Sequence, residues 1–162
     1  MKKLVFAMLL AALTLSACQK TPADEFRGSY SFKTGGSLEL KTEDNLLTKT
    51  IVPESGQMHV LADGADKVKL TLNVTGGTPV VFDGTVGDGV LSLSPSTQKV
   101  LIYKDDAILD VLQDVLLTVS GKGRRYENTL IIDLDYSGSF NLGNVPCKVN
   151  SSSVKCIATL NE

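Results

Sequence analysis

The chain has 162 residues, with 16 basic and 18 acidic side chains and a formal net charge of −2. This length fits one domain with a sizeable core. The mildly acidic balance, without a basic run, argues against a nucleic-acid-binding surface and against electrostatic attachment to anionic lipid.

The N-terminus has the layout of a secretory signal. Lys2 and Lys3 precede a mostly aliphatic run over residues 4–15, and the small residues Ser16 and Ala17 follow it. The run is too short for a bilayer-crossing helix, which needs about 20 residues. We therefore expect residues 1–17 to be a signal peptide that is removed.

A cysteine follows this signal directly. The motif Leu15-Ser16-Ala17-Cys18 resembles the lipobox of bacterial lipoproteins. The resemblance implies that the Cys18 thiol is diacylglycerylated and that the new N-terminus is acylated, for example with palmitate. Three acyl chains would hold the protein durably at a membrane, because two signals already suffice. Gln19, rather than Asp, implies the outer membrane. The alternative is a plain secreted protein with a chance cysteine.

The mature chain divides into a tether and one domain. Removal of 17 residues leaves 145, with a formal net charge of about −4, since the signal carries two basic side chains and no acidic one. Residues 18–25 are polar after the cysteine and are predicted to be a lipidated tether. Residues 26–162 are predicted to be a single β-barrel domain.

From Phe26 onwards, apolar and polar residues alternate with a period of two, which is typical of half-buried strands. Val68, Leu70 and Leu72 form the clearest example, and Gly- and Asp-containing turns separate the strands. Consecutive hairpins without a long crossover favour an all-β fold, an antiparallel up-and-down β-barrel of about 8–10 strands.

The period changes between Asp105 and Val119. Apolar residues there follow helical spacing, and Asp105 or Asp106 could cap the start of a helix. We predict a short helix near 106–114 followed by a strand near 115–121. At the end of this segment, the alternation of apolar residues fits a strand equally well. The apolar residues are Ile108, Leu109, Val111, Leu112, Val115, Leu116 and Val119.

The last two cysteines are predicted to face each other across a hairpin. If residues 150–153 form its loop, arms at 145–149 and 154–160 place Cys147 opposite Cys156. Directly opposed Cβ atoms lie about 4.5–5.5 Å apart, close to disulfide range. An oxidising compartment favours a structural disulfide. The alternatives are two buried thiols or a redox-active pair.

The strand pattern also carries a resemblance. Gly28-Ser29-Tyr30 near the start, Tyr136-Ser137-Gly138 late in the chain and the predicted cysteine hairpin at its end are similar to the calycin-like, lipocalin-type barrels of small Gram-negative lipoproteins. The resemblance implies a barrel domain whose open end can hold a ligand.

Few residues point to catalysis or metal binding. His59 is the only histidine, on the polar face of its strand, so a Ser/His/Asp mechanism would have to use it. Asp133 and Asp135 share a strand face, where they could do acid/base work, bind Ca²⁺ or simply be solvated. Arg124 and Arg125 could bind an anion. We predict no catalytic residue, metal or cofactor.

Two functions remain after these exclusions. One is an anchored, non-enzymatic module that binds a small apolar ligand in the barrel mouth. The other is a protein-interaction subunit or inhibitor in the cell envelope that acts through loops at one barrel end. A hydrolase is disfavoured because no nucleophile–base pair can be nominated. Fold alone does not decide between them.

Overall fold

A computed structural model describes residues 20–105 and 108–162, with side chains described outside residues 104–111. Cys18 and the predicted signal peptide lie outside the described residues. The described elements are one helix, α1 (Pro22–Phe26), and ten strands: β1 (Gly28–Lys41), β2 (Leu46–Thr50), β3 (Ser55–Ala62), β4 (Lys67–Val74), β5 (Val80–Gly87), β6 (Val90–Asp105), β7 (Ile108–Tyr126), β8 (Thr129–Ser137), β9 (Ser139–Leu142) and β10 (Val145–Leu160).

Eight of these strands close into a ring. Neighbours pair antiparallel in the order β1-β3-β4-β5-β6-β7-β8-β10, and β10 pairs back onto β1. The two short strands pair alongside long ones at the same end of the molecule: β2 pairs with the last part of β1, and β9 pairs with the first part of β10. The predicted antiparallel up-and-down barrel is therefore confirmed.

The core fills the inside of this ring. Along β4, Val68 and Leu70 are buried while Lys67 and Lys69 are exposed, as the period of two predicts. Bulky side chains from around the ring meet at the centre, so hydrophobic burial holds the barrel closed. They include Tyr30, Phe32, Met58, Leu70, Leu91, Ile102, Leu117, Leu130 and Ile132.

The helix α1 plugs one end of the barrel. Its residues Ala23 and Phe26 are fully buried. The Ala23 N–H donates to the carbonyl oxygen of Ala65 at 3.1 Å, and the Tyr30 hydroxyl donates to that of Phe26 at 2.8 Å. Residues 22–25, predicted to belong to the tether, are therefore part of the folded domain. We call this end the helix end.

The predicted C-terminal hairpin is wrong, because β10 is one continuous strand from Val145 to Leu160. It pairs with β1 on one side and with β8 on the other. The register shifts opposite Glu39 and Leu40, which leaves Asn150 as the extra residue of a β-bulge. The bulge reverses the alternation, so Cys147 and Cys156 both face the interior.

Residues 150–153, which were predicted to form a loop, include polar side chains that form hydrogen bonds. The Ser152 hydroxyl donates to the carbonyl oxygen of Leu134 at 3.1 Å and accepts from the N–H of Tyr136 at 3.3 Å. The Asn150 amide donates to the Glu39 carboxylate. Neighbouring strands thus supply hydrogen-bond partners for these polar side chains, so the strand continues where the sequence indicated a turn.

The predicted helix near 106–114 is also wrong over residues 108–114, which belong to β7. Residues 106 and 107 lie outside the described residues. Val115 and Leu117 are buried, whereas Leu112 and Leu116 are 45% and 68% exposed on the outer face. Apolar side chains on both faces of one strand imitate helical spacing, which explains the error.

Candidate functional site

The end of the barrel opposite α1 is crossed by the segment between β2 and β3. In this segment, residues 51–54, the Ile51 N–H donates to the carbonyl oxygen of Gly36 at 3.1 Å, and the Val52 N–H to that of Leu101 at 2.9 Å. The segment thus bridges β1 and β6. We call residues 51–54 the strap and this end of the barrel the strap end.

Beneath the strap lies a recess of about 50 Å³. Its walls are mostly apolar and come from strands around the barrel, and five polar side chains also line it. The apolar lining includes Ile51, Leu72, Phe82, Val100, Val119 and Leu134, and the polar side chains are Thr34, Glu54, Gln98, Lys99 and Tyr136.

A groove of about 250 Å³ adjoins the recess on the outer side. Val74, Pro79 and Leu101 give it an apolar surface, and Lys99 and Asp114 form an ion pair at its rim. Glu54, Val80, Gln98, Lys99 and Leu101 line both spaces. We call the two together the strap-end site.

The strap holds Glu54 in place through its backbone. Its carbonyl oxygen accepts from the Thr34 N–H at 2.8 Å, and its own N–H donates to the Thr34 Oγ1 at 3.0 Å. Its carboxylate makes no hydrogen bond or ion pair with the side chains that the structure describes. Burial in apolar surroundings raises the pKa of the Glu54 carboxyl.

Tyr136 lies in the same recess. Burial, reinforced by the negative charge of Glu54, raises the pKa of its hydroxyl well above the usual range. The hydroxyl therefore stays protonated at physiological pH and can donate or accept a hydrogen bond. The recess thus combines the Glu54 carboxylate, the Lys99 ammonium group, the hydroxyls of Thr34 and Tyr136 and the Gln98 amide with apolar walls.

The size of the recess limits what it can hold. Pockets that enclose small organic ligands measure about 300–1,000 Å³, whereas this one measures about 50 Å³. It accommodates the end of a side chain or a few water molecules. A larger ligand would have to lie mainly in the open groove.

The predicted disulfide between Cys147 and Cys156 is wrong, since both cysteines are free, buried thiols. They lie nine positions apart on β10, about 25–30 Å along a strand, whereas a disulfide needs Cα atoms within about 7 Å. Burial raises the pKa of the Cys156 thiol to about 12. A protonated, buried thiol is unreactive, so the geometry offers no redox pair.

His59 lies on the outside of the barrel, where its Nδ1 is 2.9 Å from the Ser29 Oγ. The two residues are cross-strand neighbours on β3 and β1. Among the described side chains, no carboxylate bonds the other ring nitrogen, which a catalytic triad would require. The contact belongs to an exposed polar face of the sheet.

The other charged candidates are dispersed. Asp133 forms an ion pair with Lys155 on the outer wall, and the neighbouring Asp135 is exposed. Arg125 donates to the carbonyl oxygen of Glu25 at 2.6 Å and so helps to hold α1. Within the described part of the chain, no three His, Cys, Asp or Glu side chains are grouped as a metal site would require.

Comparison with protein-family models, with curated proteins and with solved structures found no match. The lipoprotein and calycin-like resemblances therefore stay predictions. Over residues 20–105 and 108–162, no helix combines the length and the apolar character needed to cross a membrane.

The sequence did not reveal the strap-end site. Pro53 indicates a break between strands, but nothing in the local pattern shows that the following Glu54 faces a recess. That placement depends on the strap reaching Leu101, a contact between segments almost 50 residues apart.

Replacement of Glu54 by glutamine should change how stability depends on pH. Because its folded-state pKa is raised, the ionised carboxylate lowers the free energy of unfolding above that pKa and has no such effect below the unfolded pKa. Glu54→Gln should therefore stabilise the protein at pH 7, by less than about 1 kcal/mol since water screens a half-exposed group, and the gain should vanish near pH 4.

Urea unfolding at both pH values measures this difference, with Glu43→Gln in the exposed loop before β2 as the control. A Glu54→Gln variant that is less stable than the wild type at pH 7 would contradict the account.

Proposed function

We propose that this chain is a membrane-anchored, non-enzymatic lipoprotein of the cell envelope that binds a partner protein through its strap end. The proposal that the strap end binds a partner rests on where the barrel is filled by side chains and where it is open. The interior is filled by the protein's own side chains, and at the strap end a groove and a small recess remain open between the strands.

Of the two predicted functions, this geometry favours protein interaction over an enclosed apolar ligand. A recess of about 50 Å³ is too small to bury a lipid-like molecule. A groove of about 250 Å³ that ends in such a recess suits one inserted side chain of a partner. Buried anchor residues in well-packed pockets commonly dominate the affinity of protein interfaces.

The predicted anchor at Cys18 would turn the strap end away from the membrane. Lys20 lies two residues after Cys18 in the sequence and just before α1, and two residues of chain span at most about 7 Å. The helix end would then face the membrane. The strap end would point away from it, at a distance of roughly 30–50 Å set by the long strands.

The anchor is tested by replacing Cys18 with serine in the full chain, produced in a Gram-negative host. The wild type should sediment with outer membranes, and its mature N-terminal peptide should carry the mass of three acyl chains. Cys18→Ser should be found in the soluble fraction, whereas the control Cys147→Ser should behave like the wild type. An unlipidated Cys18 in the wild type would overturn the anchor.

The interaction is tested by photo-crosslinking in intact cells. A photoreactive amino acid at Thr78, which lines the groove and is exposed, should give one defined adduct with an envelope protein. The same amino acid at Ile157, 49% exposed on the outer barrel wall, is the matched control and should not give that adduct. No adduct from Thr78, or the same adduct from both positions, would contradict the proposal.

A further inference from the structure

We propose that the strap-end site binds a lysine side chain of the partner, with the ammonium group against Glu54 and the methylene chain along the groove. This inference rests on the proposed function and names the group that the site accepts. It is carried by the charges of the site, by the free hydrogen-bond acceptors and by the shape of the apolar surface.

The charge balance of the site leaves one carboxylate without a counterion. Lys99 and Asp114 neutralise each other at the rim. Glu54, which lines both the recess and the groove, pairs with none of the described side chains. The described side chains that line the site therefore carry a formal charge of −1, which a single positive charge would balance.

Burial makes that pairing more favourable than on an open surface. The apolar walls partly remove Glu54 from water, so its negative charge is poorly solvated in the unbound protein. A cation that enters the site restores part of that lost solvation, and the attraction is stronger than in bulk water because the local dielectric constant is lower.

Acceptors around the recess match the three N–H donors of an ammonium group. The Gln98 Nε2 donates to the Ser96 Oγ at 2.7 Å, while its Oε1 accepts no hydrogen bond from the described residues. The Tyr136 hydroxyl makes no hydrogen bond with the described residues. Together with the Glu54 carboxylate, these groups supply three acceptors.

The shape of the site favours lysine over arginine. Val74, Val80 and Leu101 give the groove an apolar surface on which a methylene chain can pack. The recess is small, which suits the compact ammonium group better than the broad planar guanidinium, whose five donors need a wider set of acceptors.

The proposal is tested by NMR titration of the ¹⁵N-labelled full mature protein with n-butylammonium, which reproduces the lysine side chain. The amide signals of Val80, Gln98 and Leu101 should shift and saturate. Neutral n-butanol should cause no saturable shift, and n-propylguanidinium should bind more weakly. Equal binding of butanol, or tighter binding of the guanidinium probe, would overturn the assignment of lysine.

Two variants locate the binding charge. Glu54→Gln, which keeps the shape of the side chain, should weaken n-butylammonium at least tenfold, whereas Glu43→Gln should leave its affinity unchanged. Asp114→Asn should also weaken the probe, because it releases Lys99 to compete for Glu54, and it serves if Glu54→Gln does not fold. Unchanged affinity in a folded Glu54→Gln protein, or in Asp114→Asn where that variant is used, would overturn the proposal.

The two proposals fail in different ways. If the Thr78 adduct forms but the probe does not bind, only the lysine assignment is overturned. If the probe binds at Glu54 but Thr78 gives no adduct, the partner protein is overturned and the site is one for small ammonium compounds.

Discussion

The structure depends on the pairing of β10 with β1 on one side and with β8 on the other, because this strand closes the barrel. A single bulge at Asn150 lets it serve two sections of the core. On one side of the bulge Cys147 and Val149 face inwards, and on the other Val154 and Cys156 do. Without the extra residue, one of these sets would face solvent, since a shift of one residue exchanges the two faces of a strand.

The closure also dictates a glycine in β1. Gly36 pairs with Val154, and a Cβ at position 36 would overlap the carbonyl oxygen of Ser153. Its φ of +143° lies in the region that favours glycine. The same residue accepts the first hydrogen bond of the strap, from the Ile51 N–H. The close approach of β1 and β10 therefore fixes where the strap starts its crossing, and through it the position of Glu54.

The sequence was a good guide wherever one face of a strand is buried and the other is solvated. Val68, Leu70 and Leu72 show this pattern, and it is sufficient for the fold class. Predictions from the pattern were wrong where the outer face of a strand is apolar, as at Leu116. They were also wrong where a polar side chain forms a hydrogen bond within the sheet, as Ser152 does. In both places the local sequence pattern also fits a different secondary structure, a helix in the first case and a hairpin loop in the second. Only pairing with distant strands determines which one forms.

The candidate site could not be predicted for a related reason. Glu54 follows Pro53 in a segment whose composition indicates only a connection between strands. Its importance comes from the pairing of the strap with β6, which covers the recess and leaves this carboxylate without a counterion among the described side chains. By contrast, the anchor at Cys18 is a sequence motif and needs no tertiary structure to be predicted.

The continuity of β10 is tested most directly by a distance between its exposed residues Lys148 and Lys155. Spin labels at these positions, in a chain whose three native cysteines are replaced by serine, can be measured by double electron–electron resonance. A continuous strand places the two backbone positions about 20–23 Å apart. A hairpin would place them directly opposite each other at about 5 Å, and a label separation below about 15 Å would contradict the closed barrel described above.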